Sequence, residues 1–263
     1  LFRSGKVTIP EGYTIDQIAT AITTNVSTKK AGKTPFKKED FLKAVQDDAF
    51  IEKMVAKYPK LLANLPSKDS GVRYRLEGYL FPATYNYGKD TTVKEMIDQM
   101  LAAMDQNLSP YYETLESKNI NVNEVLTLAS LVEKEGATDQ DRKDIASVFY
   151  NRLNQDMPLQ SNIAILYAEG KLGQKTTLKE DATINTELDS PYNIYKNTGL
   201  MPGPVDNPGV SAIEAAVNPS KTDYLYFVAN VENGEVFFAK TYEEHNKNVE
   251  EHVNSKLTQA SSN

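Results

Sequence analysis

The 263-residue sequence contains no cysteine and only two histidines. The first absence removes disulfides, thiolate nucleophiles and cysteine metal sites together. It leaves the compartment open, because exported bacterial proteins and cytosolic proteins both fit it. His245 and His252 both lie near the C-terminal end, so no histidine is available mid-chain to activate a serine, and no G-x-S-x-G elbow occurs. Neither a phosphate-cradling G-x-x-x-x-G-K-[ST] nor a G-x-G-x-x-G motif is present. Spacings that would cluster metal ligands are absent too. Lys and Arg are scattered through a chain of net charge −7, which excludes the clustered cations of a nucleic-acid groove. Apolar runs stay far short of a membrane span, and no signal peptide is visible. The chain opens at Leu1 without a methionine, and we expect it to be an excised piece whose anchor would lie outside it.

What is present is an ordinary globular composition, 40% hydrophobic and 25% charged, in a chain long enough for one large domain or two smaller ones. "KVTIPEGYTIDQIATAITTN" reads as a strand, a turn and a helix capped by Thr14. "KKEDFLKAVQDDAFIEKMVAKYPKLLANLP" keeps a helical period up to Pro66, and "SKDSG" (67–71) is the natural linker. "YRLEGYLFPATYNY" is strand-like, interrupted by Pro82. Amphipathic helices follow over "TTVKEMIDQMLAAMDQNL", "TDQDRKDIASVFYNRLNQ" and "SNIAILYAEG". "LDSPYNIYKNTGLMPGPVDNPG" holds too many prolines and glycines for regular structure. Ser211 and Glu214 have capping-box spacing, as do Thr241 and Glu244. "DYLYFVANVENGEVFFAK" is a hairpin about Asn233-Gly234. The sum is an α+β chain in which helices dominate.

"LTLASLVEKEG" (126–136) is the unusual stretch. Asn121 and Glu124 cap the start of its helix, and Gly136 suits a left-handed stop. The apolar stripe through Val125, Leu128, Ala129 and Val132 ends in Glu133, Lys134 and Glu135. Residues two apart differ by about 200° on a helix, so the acids occupy opposite flanks. Glu135 falls roughly 70° from the stripe centre and Glu133 roughly 90°, which favours Glu135 only slightly; Lys134 is expected in solvent. Acids are disfavoured at a helix C-terminus. A carboxyl held there among apolar side chains has its pKa raised, the condition for a general acid near neutral pH. The bland alternative is a pair of surface acids at a frayed end. His245 and His252, seven apart on the terminal helix, read as surface residues. Tyrosines and amides crowd three loops, "EGYLFPATYNY", "MPLQSN" and "SPYNIYKN". Such residues suit sugar rings, whose faces stack and whose hydroxyls need polar partners, though any single loop tyrosine has an ordinary explanation.

Taken in order, "RLEGYLFPATY", "LASLVEKEG", "ASVFYNRL…MPLQSN", "SPYNIYKNTGLMPGPVDNPG" and "AAVNPSKTDYLYFVAN" resemble the endolytic murein transglycosylases, the YceG-like family, from about residue 74 to the terminal helix. The resemblance implies a LysM-like α/β substrate-binding module over residues 1–70. A mainly helical, lysozyme-like catalytic domain with a β-hairpin would follow over 71–263. It implies cleavage of the MurNAc–GlcNAc bond inside peptidoglycan glycan strands to leave 1,6-anhydroMurNAc ends. Glu135 would serve as the single catalytic acid and then base. Glu77, Tyr79, Gln160, Ser161, Asn162, Tyr192, Asn193 and Tyr195 are the implied substrate-binding residues. No metal or organic cofactor is expected. The implied setting is the extracytoplasmic face of a bacterial membrane, reached through an anchor absent from this chain, with cell-wall synthesis machinery as a partner. Two positions depart from the family pattern: Ala83 where many members carry Asp, and Asn162-Ile163 where many carry Asp-Pro. A non-catalytic wall-binding scaffold and a hydrolytic muramidase are the competing readings.

Overall fold

The computed structural model describes residues 5–27, 32–173, 184–230 and 233–255. Its first strand, β1 (Gly5–Thr8), leads through a turn at Gly12 into α1 (Ile15–Ala21), where Thr14 and Gln17 form a reciprocal capping box. Two short strands, β2 (Thr24–Asn25) and β3 (Gly32–Lys33), pair antiparallel. The helical period up to Pro66 resolves into two helices, α2 (Lys38–Ala44) and α3 (Asp48–Lys57). The break occurs because the Asp47 side chain accepts from Phe50 N–H and caps a new helix. Of the strand-like segment before residue 88, only β4 (Thr84–Tyr87), beyond Pro82, is extended strand.

β4 pairs antiparallel with β1, Gly5 opposite Tyr87 and Thr8 opposite Thr84. The expected division at residues 70 and 71 is therefore no break in packing, since the sheet draws one strand from each side. Asp98 reinforces the joint, accepting from Lys57 Nζ at 2.6 Å and from Tyr58 Oη at 2.6 Å.

Helices α4 (Val93–Leu108), α5 (Tyr112–Ser117), α6 (Val122–Glu135) and α7 (Asp139–Leu153) follow, then α8 (Asn162–Ala168) and α9 (Val210–Val217). A hairpin of β5 (Tyr226–Ala229) and β6 (Val236–Ala239) precedes α10 (Tyr242–Val249), capped by Thr241 and Glu244 as expected. The fold is thus mixed and mainly helical. None of the described helices is long and apolar enough to cross a membrane.

Helix α6 is the axis of the core. Residues 125–132 are all buried, so this helix is enclosed on every side rather than along one stripe. Buried apolar side chains of this size are each worth about 1.5–3 kcal/mol. Packed along α6 and α7, α9 presents Ala212, Ala215 and Ala216, small enough to let the axes approach. The capping box expected at Ser211 does not form. Gly209 is the N-cap of α9, and its N–H donates to the Glu133 carboxylate at 3.0 Å, so a buried acid from α6 stands where a capping side chain would.

Candidate active site

The last turn of α6 sends its two acids to different places, as the helical wheel requires. Glu133 points into the joint with the N-terminal segment. Its side chain is 7% exposed, with Arg142 Nη2 at 3.8 Å and Gly209 N–H on the other oxygen. Burial raises its carboxyl above the ordinary glutamate range, opposed by the Gly209 hydrogen bond. Lys134, expected in solvent, is half-buried; its ammonium lies where a side chain on Gly12 would stand. Gly136 does not adopt the left-handed stop either. Its φ is −100° and ψ 129°, and glycine is needed there because a Cβ would sit 2.5 Å from Arg142 Cγ. The close approach of α7, not a positive φ, selects the residue.

Glu135, half-buried, faces the other way, into a cleft of about 630 Å³. Ser161 Oγ donates to its Oε1 at 2.8 Å. Burial raises the Glu135 carboxyl, and the Ser161 hydroxyl partly opposes that shift. Gln160, Asn162 and Tyr195 line the same cleft. Glu135 is its only carboxyl among the described lining residues.

Two loops are fastened together to build this wall. Gln160, at φ 57°, donates its N–H to Ile194 O at 3.0 Å. Asn193 is fully buried; its amide donates to Thr186 O and Leu188 O, while its Oδ1 accepts from Tyr195 N–H at 3.0 Å. Tyr195 Oη in turn donates to Asn162 Oδ1. Ser161 is the N-cap of α8 as well as the partner of Glu135, so helix geometry holds the hydroxyl in place.

The structure brings Glu135, Gln160, Ser161, Asn162 and Tyr195 together. It does not bring the other implied binding residues to the cleft wall. Glu77 is 1% exposed, and its carboxyl accepts from Ile15 N–H, Asn207 Nδ2 and Tyr167 Oη, each at 2.9 Å. Burial pushes that carboxyl up to about 8 despite these donors. Tyr79 is buried near the opposite end of α6, donating to Asn123 at 3.1 Å. Tyr192 is 4% exposed with its ring tilted against Tyr167, centroids 5.1 Å apart, and Asn193 acts on the loop from beneath. Ala83 is half-buried against the core, and its carbonyl accepts from Ile9 N–H at 2.9 Å.

Two cleft residues, Arg152 and His245, and one buried acid on the joint side, Asp206, were not legible in the sequence. Arg152, at the end of α7, is 7% exposed and donates to Leu225 O at 2.6 Å and Pro158 O at 2.9 Å, with Gln160 Oε1 at 3.3 Å. It pins the hairpin and the 158–160 loop beside Glu135. His245, read as a surface residue, lines the cleft, stacked on Tyr226 at 5.3 Å with Nδ1 buried and without a hydrogen-bond partner among the described residues. Burial, then the Arg152 charge, lowers its pKa. No local sequence signal marked it, because its place depends on stacking against the docked hairpin. Asp206 lies fully buried with neither carboxyl oxygen hydrogen-bonded among the described residues. Burial, with Glu133 and Glu77 nearby and Lys134 opposing, holds it well above the ordinary aspartate range. Among the described residues no cluster of His, Asp or Glu has the arrangement of a metal site.

Comparison with known proteins gives this geometry a family. Residues 2–251 match the model of the YceG-like family. The endolytic murein transglycosylase of Streptococcus pneumoniae (serotype 2, strain D39) is 63% identical over 251 residues, which cover 95% of this chain and 45% of that protein. The endolytic murein transglycosylase of Bacillus subtilis (strain 168) is 41% identical over 252 residues, covering 95% of this chain and 66% of that protein. The chain thus spans about half to two-thirds of the length of these relatives. A 2.6 Å crystal structure of a YceG-like protein from Listeria monocytogenes superposes with a TM-score of 0.80 at 46% identity, covering 92% of this chain and 75% of that one. The sequence match over nearly the whole length and the shared fold agree: the chain belongs to the YceG-like family.

Proposed function

We propose that this chain is the catalytic part of an endolytic peptidoglycan lytic transglycosylase, with Glu135 as its acid and base. The observation that carries the reading is the single carboxyl, raised by burial, among the described residues of a cleft walled by amides, a tyrosine and an arginine. Ordinary glycosidases set two carboxyls across the scissile bond. One suffices when the substrate supplies the nucleophile. Glu135 protonates the leaving glycosidic oxygen, and the C6 hydroxyl of the same MurNAc residue attacks C1. The resulting carboxylate accepts the C6 hydroxyl proton, closing the 1,6-anhydro ring and restoring the acid. Because the attack is intramolecular, its effective molarity is high once the ring is held in the reactive pucker. Gln160, Asn162 and Tyr195 are placed to hold it, and the Ser161 hydroxyl orients the acid. The names of the S. pneumoniae and B. subtilis relatives point to the same reaction class.

The N-terminal segment runs β1, α1, the β2–β3 pair, α2, α3 and β4, and what supports a LysM-like reading is that β1 and β4 pair into one small sheet with helices between them in sequence. A setting at the outer face of the membrane, near wall synthesis, follows from the substrate. Mass spectrometry of products from purified glycan strands tests the proposal. Anhydro-ended products support it; products heavier by one water mean hydrolysis, and no products mean a wall-binding scaffold.

A further inference from the structure

A second hollow lies beside the Glu135 cleft, with a volume of about 420 Å³. One side is α1, the other the end of α8 and the turn after it. Leu172 and Gly173 line both hollows. Gly173 has φ 84°, and a Cβ there would stand 2.2 Å from Gln17 Nε2. The Gln17 amide therefore lies over Gly173 on the ridge between the hollows, and a branch leading from one hollow to the other runs alongside that amide.

We propose that this groove holds the charged peptide branch of a glycan strand whose sugars lie in the Glu135 cleft, a role that rests on the reading of that cleft given above. The groove presents both signs of charge. Arg73 Nη1 and Asp16 Oδ2 stand 3.8 Å apart, with side chains 43% and 42% exposed, too long for a charge-assisted hydrogen bond. Asp16 Oδ1 accepts from Tyr74 Oη at 2.9 Å and Arg73 Nη1 donates to Tyr167 O at 3.4 Å, which leaves Asp16 Oδ2 and the remaining guanidinium N–H groups to face a ligand. Lys38 also lines the groove, exposed and without an ion pair among the described residues. It sits in the first turn of α2, where the helix dipole opposes a cation, so helix stability does not account for it. Sugar rings would need an open aromatic face. Tyr167 is 2% exposed with the Arg73 guanidinium over its ring at 5.9 Å, and Tyr13 is half-buried. Free carboxylates on a peptide branch match Arg73 and Lys38, and an ammonium group matches Asp16.

Two measurements decide this. The Glu135→Gln chain is titrated calorimetrically with the acetylated peptide Ala-γ-D-Glu-Lys-D-Ala, alone and with Lys38→Glu or Arg73→Gln added. Cleavage by the unmodified chain and by Lys38→Glu is then followed on strands that carry peptides and on strands stripped of them by an amidase. Saturable binding that weakens by about tenfold in either variant is expected, the loss of one charge-assisted contact. KM on peptide-bearing strands should rise by a similar factor in Lys38→Glu, with kcat unchanged and stripped strands unaffected. Lys38→Glu should fold at least as well, because an acid suits a helix N-terminus. A peptide that does not bind, or equal losses on both kinds of strand, overturns the proposal. A chain that cuts neither strand overturns the catalytic reading instead, while the titration still decides the groove.

Discussion

Glu133 and Glu135 leave one helical turn in opposite directions and meet different surroundings. In both, burial is the main cause of a raised carboxyl pKa. Glu133 is engaged by a backbone N–H and stands near a guanidinium in a closed joint. Glu135 has one hydroxyl partner and an open cleft in front of it. A raised pKa therefore does not mark a site by itself. Glu77 and Asp206, raised by the same cause, sit with Glu133 at the junction of α1, α6 and the loop before α9. On the joint side the acids hold the protein together; on the cleft side the acid is free to exchange a proton.

The largest effect on the joint side is expected at Glu77. Replacing it with Leu leaves Ile15 N–H, the Asn207 amide and the Tyr167 hydroxyl without their shared acceptor. Each orphaned group costs about 1–3 kcal/mol, so denaturant unfolding should show a loss of about 3–9 kcal/mol. A loss below 1 kcal/mol would mean the joint is not built around this residue.

The pH dependence of stability separates the two flanks further. An acid whose folded pKa is raised contributes stability that is complete below its unfolded pKa and disappears as pH rises through the folded value. Glu77 titrates at about 8 in the fold, against an ordinary 4.5, and Glu133, Glu135 and Asp206 shift in the same direction. The melting temperature should therefore fall between about pH 5 and about pH 9, and Glu77→Gln should flatten that fall. An unchanged slope in the variant would place the titration elsewhere.

Smaller effects are expected at the partners of the two acids. Ser161→Ala removes an N-cap, costing about 1 kcal/mol, and also the donor that lowers the Glu135 pKa. The basic limb of kcat/KM should then move to higher pH, whereas a purely structural serine would leave the profile in place. Glu133→Gln keeps an acceptor for Gly209 N–H and should change stability by about 1 kcal/mol or less.

Much of the frame was legible because its signals are local. The capping boxes at Asn121 and Thr241 and the hairpin strands follow from neighbouring residues, and the structure carries them as expected. The opposite placement of the two glutamates follows from helix geometry alone. What was illegible depends on contacts between segments distant in sequence. Gly136 is set by Arg142 rather than by its own φ, and Gly209 is capped by an acid 76 residues earlier. The strand closing the N-terminal sheet comes from beyond the apparent linker. His245 reached the cleft unnoticed because stacking on Tyr226 depends on how the hairpin docks. Of the three tyrosine- and amide-rich loops, two lie at the cleft and the third, with Glu77 and Tyr79, does not, and composition did not separate residues that face the cleft from those, like Asn193 and Tyr192, that lie buried behind it.

The central claim is that access, rather than burial alone, selects Glu135 over Glu133. Turnover of glycan strands by Glu135→Gln and Glu133→Gln, measured side by side on chains with matched folding, tests it most directly. The account predicts a fall of about 10²–10⁴ in kcat for Glu135→Gln, the usual contribution of a general acid–base, and near-normal turnover for Glu133→Gln. Loss of turnover in Glu133→Gln with Glu135→Gln still active would contradict it.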